Sequence, residues 1–343
     1  MAFTYLGVIT TSLLWFAYPN SSSIPLALFC ILISNFALEV SAVFYNSFLP
    51  KIVSKKYIGR VSGWAWGLGY LGGIICLVIS LYIFIKGDLS IWTDIESAAN
   101  VRIIAVFVGL WIFLFSLPMF IYVDDTEEGR LPATKAIHKG FIELFKTIKT
   151  LPEQKSLLIF LIARVLYIDG LNALFSLGGI YAAGTFNLGI NEIMIFGIII
   201  NLTAGFGAAV FAMLDDYIGS KKTILISLVL LVITYLFLLN ITSVKIFWII
   251  GPMIGIFVGP IQASSRTFLA RLAKPEEITR MYGLYALSGK ATSFLAPLLV
   301  GTITTLANNQ RIGMSVLIPF FVIGFVLLLF VKENTHKPTQ SSQ

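Results

Sequence analysis

Ten apolar stretches run through this 343-residue chain: Ala2–Tyr18, Ile24–Tyr45, Val61–Ile85, Arg102–Val123, Leu157–Ala182, Glu192–Leu214, Thr223–Leu239, Ile246–Thr267, Met281–Leu306 and Arg311–Val331. Each is 17 residues or longer, and a helix rises 1.5 Å per residue against a hydrocarbon core about 30 Å thick. Lipid offers exposed backbone groups no partner, so such segments must be helices packed into a bundle. Charged residues are only 12% of the chain and hydrophobic residues 57%. A soluble domain carries about twice that charged fraction, which leaves no room for a sizeable aqueous domain. The expected class is an all-α polytopic protein, multi-pass in the membrane, with the lipid bilayer as its first partner.

The net charge of +7 could suit a nucleic acid, but the basic residues are placed otherwise. Loops after the second, fourth, sixth and eighth stretches, with the C-terminal tail, hold most of the 24 Lys and Arg; the intervening loops hold only Lys86, Arg102, Lys245 and Arg311. That alternation is the positive-inside pattern. It predicts both termini in the cytoplasm and no nucleic-acid partner. In a bacterium the membrane would be the inner one. Both cysteines, Cys30 and Cys76, fall inside apolar stretches, which argues against a disulfide framework or a metal site. Met1 leads straight into apolar sequence without a basic n-region, so no cleavable signal peptide is expected.

The one long polar break is Asp124–Ser156. Within it Ile137, Phe141, Leu144, Phe145 and Ile148 recur at helical spacing, with Lys135, Lys139, Lys146 and Lys149 on other faces. This predicts an amphipathic helix on the cytoplasmic surface. The expected organisation is four helices in 1–123, a linker in 124–156, six helices in 157–331 and a tail in 332–343. The two sets also resemble each other. Shifted by 220 positions without a gap, Phe48 and Leu49 meet Phe268 and Leu269, Ile58 meets Ile278, Arg60 meets Arg280, and Gly63 and Gly69 meet Gly283 and Gly289. Lys51 falls opposite Arg271. Parallel repeats of this sort mark the halves of major facilitator transporters, which hold the substrate between them. The same shift maps the fifth and sixth stretches to positions before residue 1. The expectation is therefore ten of twelve helices, through a mis-called start, a split gene or a natural variant.

The loop after the sixth stretch reads Ala212-Met213-Leu214-Asp215-Asp216-Tyr217-Ile218-Gly219-Ser220-Lys221-Lys222. It resembles the cytoplasmic G-x-x-x-D-[RK]-x-G-[RK]-[RK] signature of the major facilitator superfamily. Asp216, Gly219 and Lys221 stand at matching places; Ala212, Tyr217 and Ser220 depart from it. The resemblance implies a cytoplasmic gating loop, with Arg60 and Arg280 at the repeat's equivalent positions. A second set of residues is Tyr45-Asn46-Ser47-Phe48-Leu49-Pro50, Gly59 to Gly73, Leu166 to Gly170 and Gly179 to Gly184. It is similar to the major facilitator family that includes the fungal autophagy-related vacuolar amino acid effluxers. That implies a secondary transporter of a small-molecule substrate, amino acids among the candidates, with a proton or sodium as coupling ion and no cofactor. A truncated or structural membrane protein without a complete pathway is the rival expectation. Gly67-Leu68-Gly69-Tyr70-Leu71-Gly72 also fits G-x-G-x-x-G, but no strand precedes it; its small residues serve close helix packing instead. The sequence contains no P-loop or H-E-x-x-H motif, and nothing marks it as an enzyme.

Four charges are read within the stretches: Glu39, Arg164, Asp169 and Lys290. Counted from the cytoplasmic end they lie roughly 9, 10, 18 and 13 Å deep. Each costs several kcal/mol if it faces lipid unpaired, so all four should face the interior or a wet cavity. Asp169, deepest, is the leading candidate for coupling or substrate binding, with Lys290 or Arg164 as its expected cationic neighbour. Asn172, Asn201, Trp66, Tyr70 and Tyr285 are candidate cavity liners.

Overall fold

The computed structural model describes residues 1–85, 97–123 and 133–332. Lys86, the linker over 124–132 and the tail beyond Lys332 lie outside the described residues. Helices α1 (Ala2–Leu13), α2 (Ile24–Ile52), α3 (Ile58–Ile79), α4 (Ala99–Tyr122) and α5 (Ala133–Thr150) are followed by α6 (Lys155–Phe186), α7 (Ile190–Ile218), α8 (Ser220–Asn240) and α9 (Val244–Leu272). The last four are α10 (Ile278–Ala291), α11 (Leu295–Ala307), α12 (Gln310–Ser315) and α13 (Leu317–Leu329). Among the described residues there is no strand.

Among the described residues, nine helical segments are long and apolar enough to cross a membrane. The first expected span, Ala2–Tyr18, is shorter: its helix ends in a 3₁₀ turn at Leu14–Phe16, and Ala17 is extended. Pro19 accounts for the early stop, because a proline disfavours helical geometry in the residue before it. Two expected single helices are also interrupted. Met281–Leu306 is built from α10 and α11, and Arg311–Val331 from α12 and α13. Pro297 and Pro319 each stand at the third position of the downstream helix. Each lacks an N–H, and its ring would clash with the carbonyl four residues back, at Ser293 or Ser315.

The chain packs as two compact units, residues 1–46 with 72–140 and residues 47–71 with 141–343. In the first, α1 lies along α4, with Gly109 giving room to Ser12. Arg102 closes the top of this pair. Its guanidinium donates to the Trp15 and Ser97 carbonyls at 2.6 and 3.0 Å and sits 3.7 Å from the Tyr18 ring centre.

In the second unit α9 is the hub, packed along α7 and α8, while α6 packs along α13. Contact between α7 and α9 is backbone to backbone. A Cβ on Gly207 would lie 2.0 Å from the Ile256 carbonyl oxygen, and one on Gly259 2.0 Å from that of Ala204. Small residues four apart permit such an approach in lipid, where dispersion and not water exclusion holds helices together. The 220-position shift reappears as element bounds: Ile52 and Leu272 end α2 and α9, and Ile58 and Ile278 begin α3 and α10.

Candidate functional site

Within the second unit two charged clusters are built around helix ends. The first forms where α7 turns into α8. The turn is made at Gly219, whose φ of 92° is open to glycine at little cost. The preceding residues, Asp215 and Asp216, then face the start of α3. Asp216 accepts from the Gly59 N–H at 2.8 Å and the Arg60 N–H at 3.1 Å. It thereby satisfies two orphan donors at the first turn of a helix other than its own. Arg60 Nε also approaches Asp216 to 3.4 Å, and Arg271 reaches Asp215 at 3.0 Å and Asp216 at 3.6 Å. Ser220 Oγ donates to Asp215 and accepts from Arg271, both at 2.8 Å. Gly59 is required by this approach, since a Cβ there would come within 2.5 Å of Asp215 Oδ1. Lys221 points elsewhere and caps the carbonyl end of α13, donating to Leu329 O at 3.0 Å and Val331 O at 2.6 Å.

The second cluster surrounds the break between α10 and α11. Across it, Ser293 and Leu295 donate three residues back, to Lys290 and Thr292. Thr292 O is thus occupied by Leu295, and the Ala296 N–H, which would have used it in a continuous helix, is freed. Asp169 on α6 takes that donor, with Oδ2 accepting at 3.2 Å. Asp169 is 1% exposed, and its other oxygen, Oδ1, is buried without a protein hydrogen-bond partner.

One and a half turns earlier on α6, Arg164 answers the opposite polarity. Its Nη1 donates to Tyr285 O at 2.6 Å and Ser288 Oγ at 3.1 Å, and its Cζ lies 3.3 Å from the Tyr285 ring centre. Anion at a helix start and cation toward a carbonyl end is the pairing the helix dipole favours. The expected neighbour of Asp169 is therefore corrected. Its contact is a backbone amide, because the break supplies one, and Lys290 lies exposed one residue before the end of α10.

A cavity of about 250 Å³ opens nearby, walled by α6, α7, α8, α9 and α12; Tyr181 and Asn201 are among its polar liners.

The profile of the family described as "Vacuole effluxer Atg22 like" matches residues 1–341. The chain belongs to this family. A relative in Bacillus subtilis (strain 168), named Uncharacterized MFS-type transporter YxiO, is 27% identical over 344 residues, covering 99% of this chain and 78% of that protein. Autophagy-related protein 22-1 of Penicillium rubens is 24% identical over 301 residues, covering 81% of this chain. The chain spans about half the length of such fungal relatives. Among solved structures, the major facilitator transporter FucP in its outward conformation superposes with a TM-score of 0.71 at 12% identity, covering 96% of this chain and 83% of that one. The proton:xylose symporter XylE gives 0.70 at 11%, covering 97% and 78%. At such identities the likeness establishes the fold alone. This Atg22-like chain has the major facilitator fold.

The remaining candidates are distributed. Tyr70 donates to Gln262 Oε1 at 3.4 Å, with its ring 5.9 Å from that of Trp66. Trp66 Nε1 is buried without a protein acceptor. Asn201 donates to Gly197 O on its own helix, and Asn172 is exposed on α6. Glu39 is half-buried in the first unit. Arg280 pairs with Glu143 and, at 3.7 Å, with Glu277.

One residue was overlooked in the sequence. Arg266 is buried on α9, where it donates to Ser62 Oγ at 3.0 Å and Ser62 O at 2.8 Å; Tyr282 Oη donates to its carbonyl at 2.9 Å. It lies one residue inside the eighth apolar stretch, Ile246–Thr267. A guanidinium in that position was itself the available signal.

Proposed function

We propose that this chain is a secondary active transporter that moves a small solute by alternating access, with both termini cytoplasmic. Asp169 is the coupling group, where a proton or sodium ion loads. The observation that carries this reading is a buried carboxylate with one oxygen on the α11 N-terminus and the other without a protein partner. Charge held this way near mid-membrane is destabilised, so a proton, a cation or a charged substrate group stabilises it. Discontinuous helices whose ends address ions are the usual device of secondary transporters. The Asp215–Asp216–Arg271–Arg60 cluster serves as the cytoplasmic latch, joining α3, α7 and α9 while that side is closed. Membership among vacuole-effluxer-like proteins makes amino acids the first substrates to test. The alternation of basic loops supports the orientation, and in a bacterial host the membrane is the inner one. The working halves are 1–123 and 157–331, joined by 124–156, with a tail from 332.

The full chain, reconstituted in vesicles, should move labelled amino acids under an imposed proton or sodium gradient. Asp169→Asn should abolish gradient-driven accumulation while leaving solute exchange at equilibrium intact. Driven transport at the unsubstituted rate would remove Asp169 from coupling, and inertness of the wild-type chain toward every amino acid would remove that substrate class. For orientation, Ser22→Cys should label from outside and Ser54→Cys only after permeabilisation; the reverse pattern would overturn the topology.

A further inference from the structure

Helix α5 presents an apolar face that no described side chain covers. Ile142, Phe145 and Ile148 are 53%, 63% and 42% exposed. At 100° per residue they fall within a single arc of about 120°. Lys139, Lys146 and Lys149 are exposed along one edge of that arc. The opposite side is held by the protein: Thr147 is buried, and Glu143 forms an ion pair with Arg280 in the first turn of α10. That pair fixes which face α5 turns outward.

Only Leu151–Gln154 separates α5 from α6, a membrane-crossing helix. The five Cα-to-Cα steps from Thr150 to Lys155 reach at most about 18 Å, so the C-terminal end of α5 cannot leave the neighbourhood of the bilayer surface.

We propose that α5 is a docking surface for anionic lipid headgroups. Ile142, Phe145 and Ile148 enter the boundary between headgroups and acyl chains, and Lys139, Lys146 and Lys149 contact lipid phosphates. Each element of the face fits that occupant. The apolar residues need a medium less polar than water, and the lysine stems are long enough to lie across the same surface while their ammonium groups reach phosphate. The only acidic side chain on α5, Glu143, is turned toward Arg280 and does not oppose an anionic surface. A lysine near such a surface changes partition by about fivefold.

The test is spin labelling of the full chain in vesicles of phosphatidylcholine with and without phosphatidylglycerol. The background is Cys30→Ser with Cys76→Ala, since these are the only two cysteines. A label at Phe145→Cys should be accessible to oxygen and shielded from a water-soluble nickel chelate when the anionic lipid is present. A label at Ser54→Cys, in the exposed α2–α3 loop, should show the reverse. Replacing Lys139, Lys146 and Lys149 by Gln should lower the preference for spin-labelled anionic lipid over phosphatidylcholine by at least fivefold. Nickel access at position 145 equal to that at 54 would place the face in water and overturn the proposal. Shielding from both reagents would show that protein covers it, and would overturn it equally. Immersion that ignores lipid charge would remove the lysine contacts.

Discussion

Asp216 and Asp169 are both nearly buried, and each caps a helix other than its own, yet their charge is handled in opposite ways. Asp216 receives two backbone N–H groups from α3 and has Arg60 and Arg271 beside it. Asp169 receives one N–H from α11 and, among the described residues, makes no ion pair. A carboxylate neutralised by arginines at a helix end is a fastening. One held only by a backbone dipole keeps capacity for another positive charge. That difference is the ground on which closure is proposed for the α7–α8 turn and loading for the α10–α11 break. The two carboxylates should also respond differently to removal of charge.

Asp216→Asn gives the largest expected effect. It removes the carboxylate beside Arg60 and one of the two beside the three-quarters-buried Arg271, which keeps Asp215. It also leaves one acceptor oxygen for two N–H groups at the start of α3, so it should cost about 2–3 kcal/mol of stability in detergent-solubilised protein. Asp169→Asn removes a charge that makes no ion pair among the described residues, while preserving an acceptor for Ala296. Its stability change should stay within about 1 kcal/mol, or favour the variant. Thermal unfolding of both variants decides the matter, and equal losses would erase the distinction. Next in size is Gly59→Ala, whose new methyl would press on Asp215 and Asp216 from 2.5 and 2.7 Å. Pushing both carboxylates off α3 should cost about 1–3 kcal/mol, most of it absent when Asp216 has already been replaced.

These two regions were unequally legible before the structure. The α7–α8 turn could be read because its acids and glycine lie in one short segment, which carries the device except Arg60 and Arg271; Lys221, read with them, caps α13 instead. The repeat supplied Arg60. Arg271 entered only as the residue opposite Lys51, since nothing in sequence says that α9 ends beside α7. The α10–α11 break was invisible to hydropathy because Ala291–Phe294 is not polar enough to interrupt an apolar run. Pro297 was a poor guide on its own. Pro252 and Pro260 sit inside an unbroken α9, and Pro118 inside α4. A break in lipid is tolerated where a neighbouring helix satisfies the freed backbone groups, and here that partner, Asp169, lies in α6. Without the break, the backbone partner of Asp169 could not be foreseen, and another charge was the reasonable expectation.

Arg164 sharpens the contrast from the cationic side. Its guanidinium carbon sits 3.3 Å from the Tyr285 ring centre, and Nη1 donates twice along α10. Arg164→Lys keeps the charge but loses the guanidinium's contact with the ring and the fork of donors, so it should cost about 1–2 kcal/mol. Were lysine to serve equally well, charge alone would hold α10 to α6, and the geometry around Tyr285 would be incidental.

The smallest effect concerns the repeat's second arginine. Arg60 and Arg280 stand at the third residue of α3 and α10, 220 positions apart, yet their partners differ in setting. Asp216 is 6% exposed, whereas Glu143 and Arg280 are each about one-third exposed, at 32% and 34%. Water therefore competes for the second pair on both sides, and the attraction is screened within about 10 Å at ordinary salt. Glu143→Gln should cost about 0.5 kcal/mol at low ionic strength, and the difference should vanish near molar salt. Asp216→Asn should keep most of its cost there, because its carboxylate is shielded from counter-ions by α3 and α7. Unfolding curves for both variants across a salt series separate the cases. If Glu143→Gln proved as costly and as salt-insensitive as Asp216→Asn, the α5–α10 pair would be a second fastening. The two ends of the repeat would then differ in sequence but not in function.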